Sequence, residues 1–268
     1  MRIDICLETL KDLSGIHNCN KLLDILSSHG FCIEKIGKYE PVKKEFSKED
    51  FEKLWEGYTS PEGITSCGII FKGTADAKFT GMISWSKNLH PSSPILSVNM
   101  FSLWLNVKKS YDMGKLVNLT DEIFEWSGAV YGYIAEKGKN FFDLQMRLED
   151  NFSRYLLLNV YGGLLGLRWV NYFGKPYLAE KDFTLPESAV MLAHGAKLQL
   201  TEKPDDERLT DVQFLANYYS IIGDKWFWHF EKIRKEGRNY YAYPKEGFQQ
   251  EQICIPMFDR AEITRKEE

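Results

Sequence analysis

The chain has 268 residues, and its 34 basic and 38 acidic side chains give a formal net charge of −4 and a pI near 5.8. This balance argues against a continuous basic face that could hold a nucleic acid backbone. With 44% hydrophobic and 27% charged residues, the composition is that of a folded globular protein, which excludes a disordered chain. Phe, Trp and Tyr together make up 14% of the residues, and this aromatic share is the figure that stands out.

Targeting segments and cysteines predict the compartment of the protein. No apolar run of signal-peptide length follows the N-terminal Met-Arg-Ile-Asp, and no window of about 18 apolar residues predicts a membrane helix. The five cysteines are odd in number and scattered, which is typical of reduced thiols. We therefore expect a cytoplasmic protein without a membrane partner.

The first half of the chain passes from helical to strand-like patterns. Apolar spacing predicts a helix over residues 17–29, and the sequence Ser-Lys-Glu-Asp at 47–50 is typical of the capped start of a second helix. Short runs rich in Ile, Val, Phe and Trp follow, and glycine and proline interrupt them. They predict strands at 66–72, 78–86 and 95–107, whose short connections favour antiparallel pairing.

The second half mixes the same two patterns. Helices are predicted over 112–126 and 204–223, strands over 128–135, 163–174 and 196–201, an ambiguous stretch over 140–160, and a frayed charged tail over 265–268. A regular alternation of strand and helix is absent from this order. We therefore predict one compact α+β domain over residues 1–268, with a mostly antiparallel twisted sheet and helices packed on it.

The familiar motifs of catalytic and metal sites are incomplete in this sequence. The glycine-rich segment 161–166 lacks the Lys-Ser/Thr of a phosphate-binding loop, and neither Gly-x-Ser-x-Gly nor His-Glu-x-x-His occurs. The pairs His17/Cys19 and His29/Cys32 flank a predicted helix that would hold them apart. We expect no metal, no cofactor and no enzymatic activity.

Acidic side chains concentrate between residues 120 and 150. Seven acids and three bases give this window a net charge of −4, equal to that of the whole chain, and aromatic rings are interleaved with them. Acids beside amphipathic rings suit the capture of a basic partner, because the field accelerates encounter and the rings supply anchors. The alternative is a solvated helix face above an aromatic core.

Eight residues are therefore our candidates for partner binding. The first group comes from the acidic window and the second from the ring-rich segment 169–177. In that order they are Asp121, Glu122, Glu125, Trp126, Tyr131 and Tyr133, and then Tyr172 and Tyr177. The acids Asp143, Glu149 and Asp150 leave a carboxylate-based hydrolase open as an alternative.

The ring-rich segment also carries a family resemblance. Residues 166–177 read Gly-Leu-Arg-Trp-Val-Asn-Tyr-Phe-Gly-Lys-Pro-Tyr, and with residues 124–132 and 195–204 they resemble the immunity protein 52 family of bacterial polymorphic-toxin systems. The resemblance rests on the pattern Trp-x-Asn-x-Phe-Gly-x-Pro-Tyr and runs over about residues 30–220.

This resemblance implies a non-enzymatic α+β protein of the bacterial cytoplasm, which binds and blocks a toxin delivered in contact-dependent competition, as by type VI secretion. The toxin is expected to be a nuclease, whose basic cleft an acidic inhibitor could occupy. We therefore expect a toxin-neutralising immunity protein whose partner is the cognate protein toxin. Besides the hydrolase, a carbohydrate- or peptide-binding module with exposed Trp and Tyr stays open as an alternative.

Overall fold

The computed structural model describes residues 1–61, 63–87, 99–137, 164, 166–223 and 226–227. The strands within these residues are β1 (Arg2–Thr9), β2 (Cys32–Gly37), β3 (Lys44–Glu45), β4 (Tyr58–Thr59), β5 (Thr65–Thr74), β6 (Lys78–Lys87), β7 (Asn99–Asn106), β8 (Tyr131–Glu136), β9 (Val170–Gly174), β10 (Val190–Leu192) and β11 (Gly195–Gln199). The helices are α1 (Ile16–Ser28), α2 (Lys48–Trp55), α3 (Met113–Ser127), α4 (Lys175–Leu178) and α5 (Val212–Ile222), with a 3₁₀ helix at Glu207–Thr210.

All of these strands belong to one sheet, in the order β10-β11-β9-β8-β1-β7-β6-β5-β2-β3, with β4 also paired to β5. Each pair of neighbouring strands is antiparallel. The predicted α+β class with a mostly antiparallel sheet is therefore confirmed. None of the helices in the described ranges combines the length and apolar content that crossing a bilayer requires.

Strand β1 lies in the middle of the sheet, between β7 and β8. Its alternate residues Ile3, Ile5 and Leu7 are at most 1% exposed and join the core. Their spacing of two is the strand signature, because successive side chains of a strand point to opposite faces. The sequence analysis did not predict this strand, although the same alternation is visible in residues 2–9.

One face of the sheet, called here the first face, is covered by helices α1, α2 and α3. The alternation of β9 points Tyr172 to this face, where its ring centroid lies 5.2 Å from that of Phe124 on α3. Helix α2 is anchored by Trp55, whose indole Nε1 donates to the carbonyl oxygen of Leu13 at 3.0 Å. Aromatic packing of this kind buries large apolar areas and fixes where the helices lie.

The opposite face, called here the second face, is covered by aromatic rings at its β8–β9 end. Tyr131 and Phe173 are opposite each other in the register and stack at 5.8 Å between centroids. The Tyr177 ring of α4 contacts both, and those of Phe183 and Trp226 pack on Tyr177 at 5.1 Å and 5.8 Å. This end of the sheet is therefore buried on both faces.

Most predicted elements occur at or near their predicted bounds. The helices over 17–29 and 112–126, the start of α2 and the strands at 66–72 and 78–86 are confirmed by α1, α3, α2, β5 and β6. The predicted helix over 204–223 is divided instead, because Asp211 accepts hydrogen bonds from the Gln213 and Phe214 amides and caps a new helix there. Residues 140–160 and the tail over 265–268 lie outside the described residues.

Strands β9 and β11 approach each other closely at Gly195. A Cβ at Gly195 would lie 2.2 Å from the Phe173 carbonyl oxygen, whereas one at Gly68 would meet nothing within 4 Å. We predict that Gly195→Ala lowers the free energy of unfolding by about 1–3 kcal/mol, because two paired strands must separate. The matched control Gly68→Ala should be neutral or stabilising by less than about 1 kcal/mol. Urea unfolding measures both, and equal effects would contradict the close approach.

Candidate functional site

Helix α3 carries four of the predicted partner-binding residues. Asp112 caps its start by accepting from the Gly114 amide at 2.9 Å, and Gly128 ends it with a left-handed φ of 55°. The buried stripe of the helix includes Leu116, Ile123 and Phe124. The remaining surface of its last two turns holds the acids at 121, 122 and 125 and the indole at 126, all partly exposed.

Asp121 joins α3 to the sheet. Its Oδ1 accepts a hydrogen bond from the Tyr172 hydroxyl at 2.7 Å, and its Oδ2 accepts one from Lys197 Nζ on β11 at 2.5 Å. Burial first, and then the negative charge of Asp121, raise the pKa of the Tyr172 hydroxyl well above its usual value. This carboxylate is therefore committed to contacts inside the molecule.

The other two acids of α3 also have basic neighbours. The Glu122 carboxylate forms hydrogen bonds with His29 Nε2 at 3.0 Å and with Lys21 Nζ of α1 at 3.4 Å, and these bonds lower the pKa of the Glu122 carboxyl. His29 directly follows α1. Glu125 accepts from the backbone amide of His194 at 3.3 Å, with the His194 ring 3.9 Å away. Folding therefore places bases beside the acids of α3, and the local charge is much smaller than the sequence window indicates.

The predicted tyrosines do not share one surface with these acids. Tyr131, Tyr172 and Tyr177 are at most 1% exposed, so in this conformation their side chains cannot contact a partner. Tyr172 faces α3, whereas Tyr131 and Tyr133 point to the second face, on the other side of the sheet. The three buried rings form part of the core, and partner binding by the eight candidate residues stays a prediction.

Tyr133 differs from the other three tyrosines because it is partly exposed. The guanidinium of Arg168 lies over its ring, 5.2 Å from the centroid. Burial, and then the neighbouring Cys6, raise the pKa of the Tyr133 hydroxyl well above its usual value. The ring is thus held by a cation–π contact within the chain.

The motif that carries the family resemblance is part of the core. Trp169 is 2% exposed, and its Nε1 donates to the Thr201 carbonyl at 2.8 Å. Asn171 is fully buried: its Nδ2 donates to the Arg168 carbonyl at 2.8 Å, and its Oδ1 accepts from the Arg168 amide at 2.8 Å. Asn171 therefore fixes a backbone turn before β9, and the motif residues specify the fold rather than a binding surface.

The histidines and cysteines considered for a metal site lie apart in the structure. Helix α1 separates His17 and Cys19 from His29 and Cys32, and His29 binds Glu122 instead. In the described ranges, no cluster of three or more His, Cys, Asp or Glu residues is placed to hold a metal ion. The acids Asp143, Glu149 and Asp150 lie outside those ranges.

A groove between α5 and residues 185–188 is the surface that the sequence analysis missed. Its volume is about 590 Å³, and it is lined by Leu185, Pro186, Glu187, Ser188, Phe214, Asn217, Tyr218 and Ile221. The four α5 residues occur at i, i+3, i+4 and i+7, so they form one stripe along the helix. This stripe lies beside the buried residues Leu215 and Ile222, and its Phe214 and Tyr218 also pack partly against the core.

Exposed apolar side chains occur on α5 and at the edge of the sheet. Ile221 is 45% exposed, and Met191 on the edge strand β10 is 66% exposed. The register pairs Met191 with Ala196 and Ala196 with Phe173, which places Met191 on the second face. The sequence did hold a signal for the groove, since the apolar residues of α5 extend beyond its buried Leu215 and Ile222.

The chain was compared with known families and structures. No protein-family profile matches it, and no curated protein matches its sequence. Among solved structures it is similar to the Pseudomonas aeruginosa T6SS protein PA0821, with a TM-score of 0.47 and 9% identity over 82% of this chain and 77% of that one. A likeness at this level carries no functional argument. The assignment to the immunity protein 52 family therefore stays a prediction of the sequence.

The role of Asp121 as a bridge leads to a stability prediction. Asp121→Ala removes the acceptor of the Tyr172 hydroxyl and of Lys197, whose side chain is 15% exposed. We expect a loss of about 2–3 kcal/mol in the free energy of unfolding. Glu122→Ala, whose parent side chain is 41% exposed, should cost less than about 1 kcal/mol. Chemical denaturation of the two variants checks this order, and a larger loss for Glu122→Ala would contradict it.

Proposed function

We propose that the chain is an immunity protein that neutralises a protein toxin by binding it, without a catalytic step of its own. The kind of partner is supported by the sequence resemblance over residues 166–177 and its flanking segments. The binding role is supported by the apolar groove on α5. A nuclease is the favoured toxin class, because a cleft that holds a polyanion is basic and suits an acidic inhibitor.

The α5 groove is the observation that carries the binding role. Many large rings in the described residues are buried, among them Trp55, Trp85 and Trp169 at no more than 2% exposure. In contrast, Phe214 and Tyr218 are partly exposed and Ile221 is 45% exposed, although other residues of the same helix are buried. Apolar side chains grouped at a concave surface are typical of protein interaction sites.

The acids of α3 have a secondary part in this proposal. Glu122 and Glu125 are partly exposed, and Trp126 beside them is also partly exposed. Their basic neighbours reduce the field that a distant partner experiences, because opposite charges within a few ångströms offset one another. We therefore place the central anchor of a complex at the groove, and contact of these α3 residues with the toxin stays a prediction.

Co-expression with the adjacent toxin gene tests the proposed function. The open reading frame immediately upstream is expressed in bacterial cells with and without this chain. We expect growth to stop with the upstream protein alone and to recover with the chain present, and the two proteins to co-purify. A toxin from an unrelated locus is the control, and this chain should give no protection against it.

Two results would contradict the proposal. One is growth arrest that persists although the chain accumulates in soluble form. The other is protection without formation of a complex, which would indicate that the chain degrades the toxin or its product instead of binding it.

A further inference from the structure

The groove on α5 has a chemical character that predicts what it binds. Four of its lining side chains are apolar or aromatic, Leu185, Phe214, Tyr218 and Ile221, and Pro186 adds a rigid wall. A volume of about 590 Å³ is in the range that accommodates a drug-sized ligand, which corresponds to one or two large side chains of a protein. The groove is therefore suited to an anchor residue and its neighbours.

The charge around the groove is acidic. Glu187 is the one charged side chain among the lining residues, it is exposed, and it has no ion pair within the described part of the chain. At the N-terminal end of α5, residues 205–211 contain four acids and one base, a net charge of −3. A cation placed beside the apolar anchor would therefore meet the exposed carboxylate of Glu187.

Arg208, the base of this segment, borders the groove. The guanidinium of Arg208 lies 5.4 Å from the centroid of the Phe214 ring, which lines the groove. Two hydrogen bonds from Arg208 to Asp206, at 3.0 Å and 2.8 Å, engage that base within the chain. Arg208 is thus paired with Asp206, which partly offsets the positive charge beside Phe214.

We propose that the α5 groove binds an exposed segment of the partner protein that presents a large apolar side chain within a few residues of a lysine or arginine. The apolar side chain enters between Tyr218, Ile221 and Leu185, and the cation pairs with Glu187. This inference rests on the proposed function, since the occupant is a segment of a partner protein. It adds the chemistry by which the segment is recognised.

The test uses the full-length purified chain and a phage-displayed library of random twelve-residue peptides. We expect enriched peptides to share a large apolar residue within three positions of Lys or Arg. Synthetic copies should bind the wild-type chain and lose at least about tenfold in affinity with Ile221→Glu, which places a charge in the apolar groove. Enrichment of peptides without this pattern would overturn the inference.

A matched control lies on the same helix. Val212 is 57% exposed at the first position of α5 and does not line the groove, so Val212→Glu introduces the same charge outside it. We expect Val212→Glu to bind the peptides as the wild type does. An equal loss of affinity in the two variants would show that the peptides do not occupy the groove.

The predicted ion pair between Glu187 and the partner's cation is tested separately. Glu187→Gln should weaken binding by about three- to tenfold and reduce its salt dependence, because it removes the carboxylate without changing the apolar walls. An unchanged affinity and salt dependence would overturn the predicted ion pair. Analytical ultracentrifugation tests whether the groove binds a second copy of this chain. If the wild type forms dimers and Ile221→Glu dissociates them, the groove is a dimer interface and the inference is overturned.

The co-expression assay separates failure of this inference from failure of the proposed function. If the peptides lack the pattern but cells survive the toxin, the groove assignment falls and the immunity role stands. If the peptides bind as expected but the chain does not protect cells, the groove is a recognition site and the immunity role falls.

Discussion

Burial of the β8–β9 end of the sheet on both faces is the constraint on which the rest of the structure depends. Antiparallel sheets commonly leave one face to water, and this end does not. Tyr172 packs under α3 on one side, while Tyr131 and Phe173 pack under Tyr177 and Phe183 on the other. Strands in such a position consist of large side chains at consecutive positions, which is why residues 169–177 are so rich in rings.

This constraint determines which rings and charged side chains a partner can contact. Rings needed for two-sided packing are unavailable to a partner, and the acids of α3 bind bases from α1, β11 and the turn before β11. A partner therefore has to be recognised where apolar side chains exceed the demand of the core. In the described residues, the α5 groove combines the exposed Ile221 with a concave apolar lining, and Glu187 supplies an acid beside it.

The fold class and most elements could be predicted because period-two and period-3.6 patterns are local properties of the sequence. Strand β1 was not predicted, although Ile3, Ile5 and Leu7 alternate, because so short an alternation does not by itself distinguish a strand from an irregular segment. The exposure of Tyr131, Tyr172 and Tyr177 could not be predicted, since it depends on which elements cover each face. The pairing of Asp121 with Lys197 joins residues 76 positions apart, a distance that no local pattern encodes.

Hydrogen–deuterium exchange of the chain with and without its toxin tests the central claim most directly. The account predicts slower exchange on binding in residues 185–188 and 212–222, with little change across residues 113–127 of α3. Slower exchange confined to α3 and α1, with α5 unchanged, would contradict it and would return recognition to the acidic surface.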